Sequence, residues 1–239
     1  MSELVRLEPG YCAVWLGRAP SQTSAADLEL LEPQERAANE RLVKPVNRAC
    51  HAFTHALLRR ALSRVVDRDP RAWRLLEGIN GRPLLAGDHG GIDFNLSHSG
   101  RFAACALVRD ERVGIDVETV DDHVDFHALL GHVASPIERQ WLGSQPVEVA
   151  RRNFYRMWVL KEACAKAIGE GLGLPFNEIT LSPGPGGVVN CDLAAIAEAP
   201  EYWSFVQYDL GRDAQMAVAV RGGGEGFKFD LVAGVELTS

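Results

Sequence analysis

Glu162 and Lys166 stand one helical turn apart in Trp158-Val159-Leu160-Lys161-Glu162-Ala163-Cys164-Ala165-Lys166, and Asp116 and Glu118 stand two residues apart in Val113-Gly114-Ile115-Asp116-Val117-Glu118. These residue types at these spacings suit chemistry on a phosphate assisted by a metal ion. Lysine is scarce, with four in 239 residues, so a pair inside one short segment departs from the chain's preference for arginine. The lysine ammonium is the compact point charge that phosphate chemistry often uses. Side chains alternate along a strand, so Asp116 and Glu118 should leave by the same face. Glu162 and Lys166 are likewise neighbours on a helix. Three carboxylates gathered at one point repel and raise one another's pKa unless a cation lies between them. An oxygen-only set, without His or Cys, favours Mg²⁺ over Zn²⁺, with Mn²⁺ as an alternative. Plainer readings stand beside these. The Asp/Glu pair also fits a solvated sheet face, and the Glu/Lys pair a surface salt bridge worth a few tenths of a kcal/mol.

The elements that must carry these residues are legible as patterns. Val113 to Glu118 reads as a strand, and a helix runs from Pro146 to about Ile168 with Met157, Leu160, Cys164 and Ile168 as its apolar stripe, which turns Glu162 and Lys166 away from the core. Ser135-Pro136-Ile137-Glu138 reads as an N-cap, a first-turn proline and an N3 glutamate. Upstream, Ser24 with Asp27 resembles a capping box, and residues 47–66 read as a helix with Phe53, Leu57, Ala61 and Val65 on one stripe. Leu84 to Leu85, Phe94 to Leu96 and Phe102 to Val108 read as strands between glycine-rich turns. The tail alternates strand-like runs, Trp203 to Tyr208, Met216 to Val220 and Phe227 to Val232, with turns at Ser182 to Gly187 and Gly222 to Gly224. Gly169-Glu170-Gly171-Leu172-Gly173 reads either as a mobile loop or as a plain helix stop. Helix and strands, then strand, helices and strands, give an α+β protein.

With these segments in place, the chain resembles the 4′-phosphopantetheinyl transferases of the larger, monomeric type. The resemblance rests on Gly114-Ile115-Asp116-Val117-Glu118 and on Trp158 with Lys161-Glu162-Ala163 and Lys166. It also rests on Phe94-Asn95-Leu96-Ser97-His98-Ser99-Gly100-Arg101-Phe102 and on Gly81-Arg82-Pro83. It covers residues 81 to 173, and the outer thirds match only in pattern.

The resemblance implies two similar α+β lobes related by pseudo-twofold symmetry, residues 1–112 and 113–239, with the active site in the cleft between them. It implies transfer of phosphopantetheine from coenzyme A to a serine of an apo acyl or peptidyl carrier protein, releasing adenosine 3′,5′-bisphosphate. Fatty acid, polyketide and nonribosomal peptide synthesis all use such carriers. By the same resemblance Asp116, Glu118 and Glu162 would hold Mg²⁺, and Glu162 or a metal-bound water would take the serine proton. Lys166 and Lys161 would neutralise the phosphates. Arg48, Arg82, Ser97 and His98 would bind the 3′-phosphate and adenine end of coenzyme A. The chain departs from the family at Pro33 to Arg41, where acids interleave with Arg36 and Arg41 in place of a basic pair, and at Val159.

Composition bounds the alternatives. A length of 239 residues with 46% apolar content allows one large domain or two small ones with sizeable cores. A net charge of -7 argues against nucleic acid. It also means that an acidic carrier protein needs a local basic patch, for which Arg151, Arg152 and Arg156 are the candidates. Five scattered cysteines read as reduced packing thiols of a cytoplasmic protein, and no apolar run suggests a signal peptide or a membrane span. His51/His55 and His123/His127 at i,i+4, the latter near Asp121, Asp122, Asp125 and His132, form a rival zinc reading. Two rivals to the transferase remain: a binding module for coenzyme A or carrier protein without turnover, and another Mg²⁺-dependent enzyme that cleaves pyrophosphate.

Overall fold

In the computed structural model, which describes residues 4–169, 173–184, 189–222 and 227–232, the chain forms two main sheets, antiparallel but for one edge strand, with a long helix on the outer face of each, and two small two-stranded sheets beside them. The first half supplies β1 (Tyr11–Arg18), α1 (Ala25–Leu28), α2 (Pro33–Arg41), α3 (Pro45–Val65), β2 (Leu75–Glu77), β3 (Pro83–Leu85), β4 (Ile92–Ser99) and β5 (Phe102–Arg109). The second supplies β6 (Arg112–Thr119), α4 (Phe126–Val133), α5 (Pro136–Gly143), α6 (Val147–Ile168), β7 (Thr180–Pro183), β8 (Val189–Asp192), β9 (Trp203–Asp209), β10 (Ala214–Arg221) and β11 (Lys228–Leu231). The sheet orders β1-β5-β4 and β6-β10-β9 are the same arrangement repeated, with α3 and α6 in corresponding places. β11 departs from that division, because it pairs in parallel with β1 and so returns the end of the chain to the first sheet.

Period-two patterning explains the layers. Cys12, Val14, Ala104, Ala106 and Val108 of the first sheet meet Val113, Ile115, Val117, Met216, Val218 and Val220 of the second in one buried cluster. The opposite face of the first sheet, with Ala13, Trp15, Cys105 and Leu107, packs on Phe53, Leu57, Leu58 and Ala61 of α3. The opposite face of the second, with Ala217 and Ala219, packs on Met157, Leu160 and Cys164 of α6. The order of layers is therefore helix, sheet, sheet, helix.

Local chemistry sets the ends of α5 and α6. Ser135 Oγ accepts from the Glu138 N–H and the Glu138 carboxylate accepts from the Ser135 N–H at 2.8 Å, the expected capping box. α6 stops at Gly169, whose φ of 89° lies in the left-handed region. The capping box expected at Ser24 does not form, because the Asp27 carboxylate turns to Arg60 at 2.7 Å. The strands run longer than their apolar cores suggested, since polar residues extend β4 from Ile92 to Ser99. Cys12, Cys50, Cys105 and Cys164 are buried free thiols and Cys191 is a half-buried one. Among the described residues no helix is long and apolar enough to cross a membrane. Residues 170–172 of the Gly169–Gly173 segment, and 185–188 and 223–226 of the expected turns, lie outside the described residues.

Candidate active site

The site begins with a close approach. Gly114, Asp116 and Glu118 occupy alternate positions of β6 on the face toward α6. At Gly114 the backbone of β6 comes so near that a Cβ would fall on the Ala163 carbonyl and the Ala167 nitrogen. A glycine is required there for packing, and the contact fixes the height of the two carboxylates against Glu162 and Lys166. Lys166 Nζ donates to Asp116 Oδ1 at 2.7 Å and to the Ile115 carbonyl at 3.1 Å. Asp116 and Glu118 thus share a face as their spacing requires, and Lys166 meets it.

The electrostatics match a crowd of carboxylates. Burial first, then Asp116 and Glu118 with Lys166 opposing, pushes Glu162 up to about 7. Burial and Asp116 also raise Glu118, against the hydrogen bonds from Ser99 and Trp158 and the charge of Lys166. Asp116 is 3% exposed, and its Oδ2 is buried without a partner. As the side chains stand, no group of three His, Cys, Asp or Glu among the described residues is arranged to hold one metal. The donors nevertheless fit a hard divalent cation: all are oxygens, one is buried and unpaired, and two are pushed toward neutrality by burial and by the charge of Asp116.

Other candidates are placed differently. Lys161 does not join the carboxylate cluster. It is fully buried, and its ammonium donates to Glu138 at 2.5 Å and to the carbonyls of Val133, Phe176 and Ile179. A long apolar stem with a charged tip can point into the core when every proton of the tip finds an acceptor, which is why lysine spacing alone misled. Arg82 is also spent within the fold, bonding Asp93 at 2.8 Å, the Phe94 and Val113 carbonyls and the Lys166 carbonyl. It clamps β4, β6 and the end of α6 together. Ser97, 7% exposed, gives its hydroxyl to Asp116 rather than to a ligand. Arg48 is exposed and donates to the Leu42 and Glu40 carbonyls. Arg151 and Arg152 are held by the Val124 carbonyl and by Asp209, and Arg156 donates to Asn153, so this trio is no free basic patch.

His98 projects from the opposite face of β4. Crowding by protein lowers its pKa, followed by the charges of His55 and Lys166, so α3 and α6 both act on it. His55 Nδ1 pairs with Glu35 at 2.7 Å, the His51 ring nitrogen lies 3.2 Å from Asn39, and the two rings are 4.5 Å apart. The rival zinc sites are not assembled. His51 and His55 have other partners, Asp125 caps α4 and Asp121 accepts from the His123 N–H. A cavity of about 650 Å³, lined by residues including Phe94, Asp110, Arg112, Glu198 and Arg221, opens at the other end of β4 and β6, away from the carboxylates.

Sequence reasoning used Trp158 only as a motif residue and gave it no role; its indole helps hold the Glu118 charge while its ring packs edge-on against Phe176. Ser99 was likewise given none, and it donates to Glu118 at 2.7 Å. The available signal was the alternation Asp93, Asn95, Ser97, Ser99 on a strand with no solvent to face.

Comparison with known proteins agrees with this geometry. The model of the 4′-phosphopantetheinyl transferase superfamily matches residues 112–219, which carry all four residues of the cluster. The 4′-phosphopantetheinyl transferase HetI of a Nostoc species is 31% identical over 224 residues, covering 90% of this chain and 91% of its own. The L-aminoadipate-semialdehyde dehydrogenase-phosphopantetheinyl transferase of Mus musculus is 24% identical over 230 residues, covering 88% of this chain and 72% of its own. The 4′-phosphopantetheinyl transferase gsp of Aneurinibacillus migulanus is 33% identical over 97 residues, 41% of this chain and 38% of its own. With similarity to a relative running nearly end to end and the family model matching the stretch that carries the carboxylate cluster, the chain belongs to the 4′-phosphopantetheinyl transferase superfamily.

Proposed function

We propose that this protein transfers the 4′-phosphopantetheine group of coenzyme A to a serine of an apo carrier protein, with Mg²⁺ at the carboxylates and adenosine 3′,5′-bisphosphate as the second product. The observation that carries the reading is the meeting of Asp116, Glu162 and Lys166, a buried unpaired carboxylate oxygen beside a near-neutral carboxyl and an ammonium. Asp116, Glu118 and Glu162 would hold the ion, which when bound supplies positive charge to the pyrophosphate.

The chain's own groups have distinct tasks. Glu162 would accept the serine proton as the hydroxyl oxygen attacks the β-phosphorus. The bond to the α-phosphate oxygen then breaks, and the leaving group carries the charge away. Lys166 has a half-exposed ammonium, so it can turn from Asp116 to the phosphates and neutralise that charge. His98 and the exposed Arg48 are the groups left on the α3 side for the 3′-phosphate. All of these come from one chain, with its two lobes on either side of the substrate.

The test is product analysis. Coenzyme A, Mg²⁺ and an apo carrier protein should yield adenosine 3′,5′-bisphosphate only when the carrier is present. Consumption of a nucleoside triphosphate instead, or release independent of the carrier, would replace this reading with another pyrophosphate-cleaving activity.

A further inference from the structure

β4 and β6 belong to different sheets, yet they advance in step, and the acceptors for β6 are β4 side chains. The Val113 N–H donates to Asp93 at 2.9 Å, Ile115 to Asn95 at 3.0 Å, Val117 to Ser97 at 3.2 Å and Thr119 to Ser99 at 3.1 Å. At the last two positions the hydroxyl works twice. Ser97 Oγ accepts from Val117 and donates to Asp116 Oδ1 at 2.9 Å, and Ser99 Oγ accepts from Thr119 and donates to Glu118 Oε2 at 2.7 Å. Each serine therefore reads the backbone of one residue and orients the carboxylate of the residue before it. Asn95 makes the same stitch without a carboxylate, because Gly114 precedes Ile115.

We propose that Ser97 and Ser99 are positioning residues that lock Asp116 and Glu118 in the orientation needed to take up a divalent cation. With Oδ1 held by Ser97 and Lys166, Asp116 keeps Oδ2 free of protein partners. Groups that orient ligands in this way set metal affinity as well as the ligands do. The inference rests on the transferase reading, in which these carboxylates hold the ion. Its competitor is that the stitches only join the two sheets, and Asn95 separates the two ideas.

The experiment titrates Mn²⁺ into the protein–coenzyme A complex and follows free Mn²⁺ by electron paramagnetic resonance. Thermal melting shows that each variant is folded. Ser97→Ala and Ser99→Ala should each bind Mn²⁺ about 10-fold more weakly. Ser99→Thr, which keeps the hydroxyl, should bind as the unmodified protein does. Asn95→Ala, or Asn95→Ser should the alanine variant not fold, should lower the melting temperature and leave Mn²⁺ affinity unchanged. Coenzyme A affinity measured in EDTA should be the same throughout. Wild-type Mn²⁺ affinity in both serine-to-alanine variants overturns the proposal, as does an equal loss in the Asn95 variant. So does weaker metal-free coenzyme A binding in Ser97→Ala, which would make that hydroxyl a direct ligand of the substrate. An unmodified protein that binds coenzyme A but no Mn²⁺ overturns the transferase reading itself, and the positioning role falls with it.

Discussion

Two adjacent residues of α6, Lys161 and Glu162, face opposite ways, and that divides their consequences. Glu162→Gln removes the proposed proton acceptor, so transfer should fall by at least about 100-fold while the melting temperature stays within a few degrees. Asp116→Ala removes the buried unpaired oxygen and should lower transfer as far, with a drop in melting temperature because Lys166 and Ser97 lose their acceptor. A steady-state assay beside a melting curve checks both, and full activity in either variant would remove its assigned role. Lys161→Met should act on stability instead. It leaves Glu138 buried without its cation, a loss of about 3–5 kcal/mol, read from the urea midpoint. The sequence signalled the lysines but not their direction. Lys161 and Lys166 are both chemically plausible by type, and only the packing of α5 and of the segment from Leu174 to Leu181 around α6 reveals that one of them is a core residue.

At the scale of elements, the height of β6 against α6 decides whether carboxylates and lysine meet. Gly114→Ala would press a methyl group on the Ala163 carbonyl, at a cost of about 1–3 kcal/mol or a shift of the strand. We expect a lower melting temperature together with activity lost beyond what the folded fraction explains, measured as turnover per folded molecule. Normal turnover would mean that the strand's position is not critical. Apolar periodicity disclosed α6, α3 and the carboxylate strand to within a few residues. β4 was seen only at Phe94 to Leu96, because its remaining positions are polar. Those positions carry no apolar alternation, and they turn toward a second sheet that no local pattern announces. The internal bonds of Arg82 were hidden for the same reason, since Asp93 and the Val113 carbonyl reach it only after two distant strands come together.

For the whole molecule, the repeated order of three strands and a helix explains why the site lies where β4 and β6 run side by side. Neither half carries all the groups. The first contributes His98, Ser97 and Ser99, the second the carboxylates and Lys166. The fold class was legible from the sequence of elements, and the repeat was not, because the halves share topology rather than residues. The return of β11 to β1 was also hidden, since a parallel pairing across nearly the whole chain has no local signature. Acid should strike the first half. Burial, then His55 and His98, lower His51 to about 4. Glu35 is lowered to about 2, because its contacts with His55 and Arg59 outweigh its burial. Both folded values lie below the unfolded ones, so the unfolded chain binds protons first. The stability that these two groups contribute is full above about 6.5 and falls with pH, through His51 down to about 4 and through Glu35 from about 4.5 to 2, while Glu162, raised to about 7, gives the opposite slope between about 4.5 and 7. His51→Gln should flatten the first step by no more than about 2 kcal/mol after solvent screening, seen in melting curves between pH 7 and 4. An unchanged slope would show that the buried ring does not govern it.

The account stands most directly on the mass of a carrier protein. A panel of apo carriers incubated with coenzyme A and Mg²⁺ should show at least one member heavier by about 340 Da on its serine, the mass of a phosphopantetheine group. No gain should appear with Glu162→Gln. An unmodified panel, in the presence of folded protein that binds coenzyme A, would contradict the central claim.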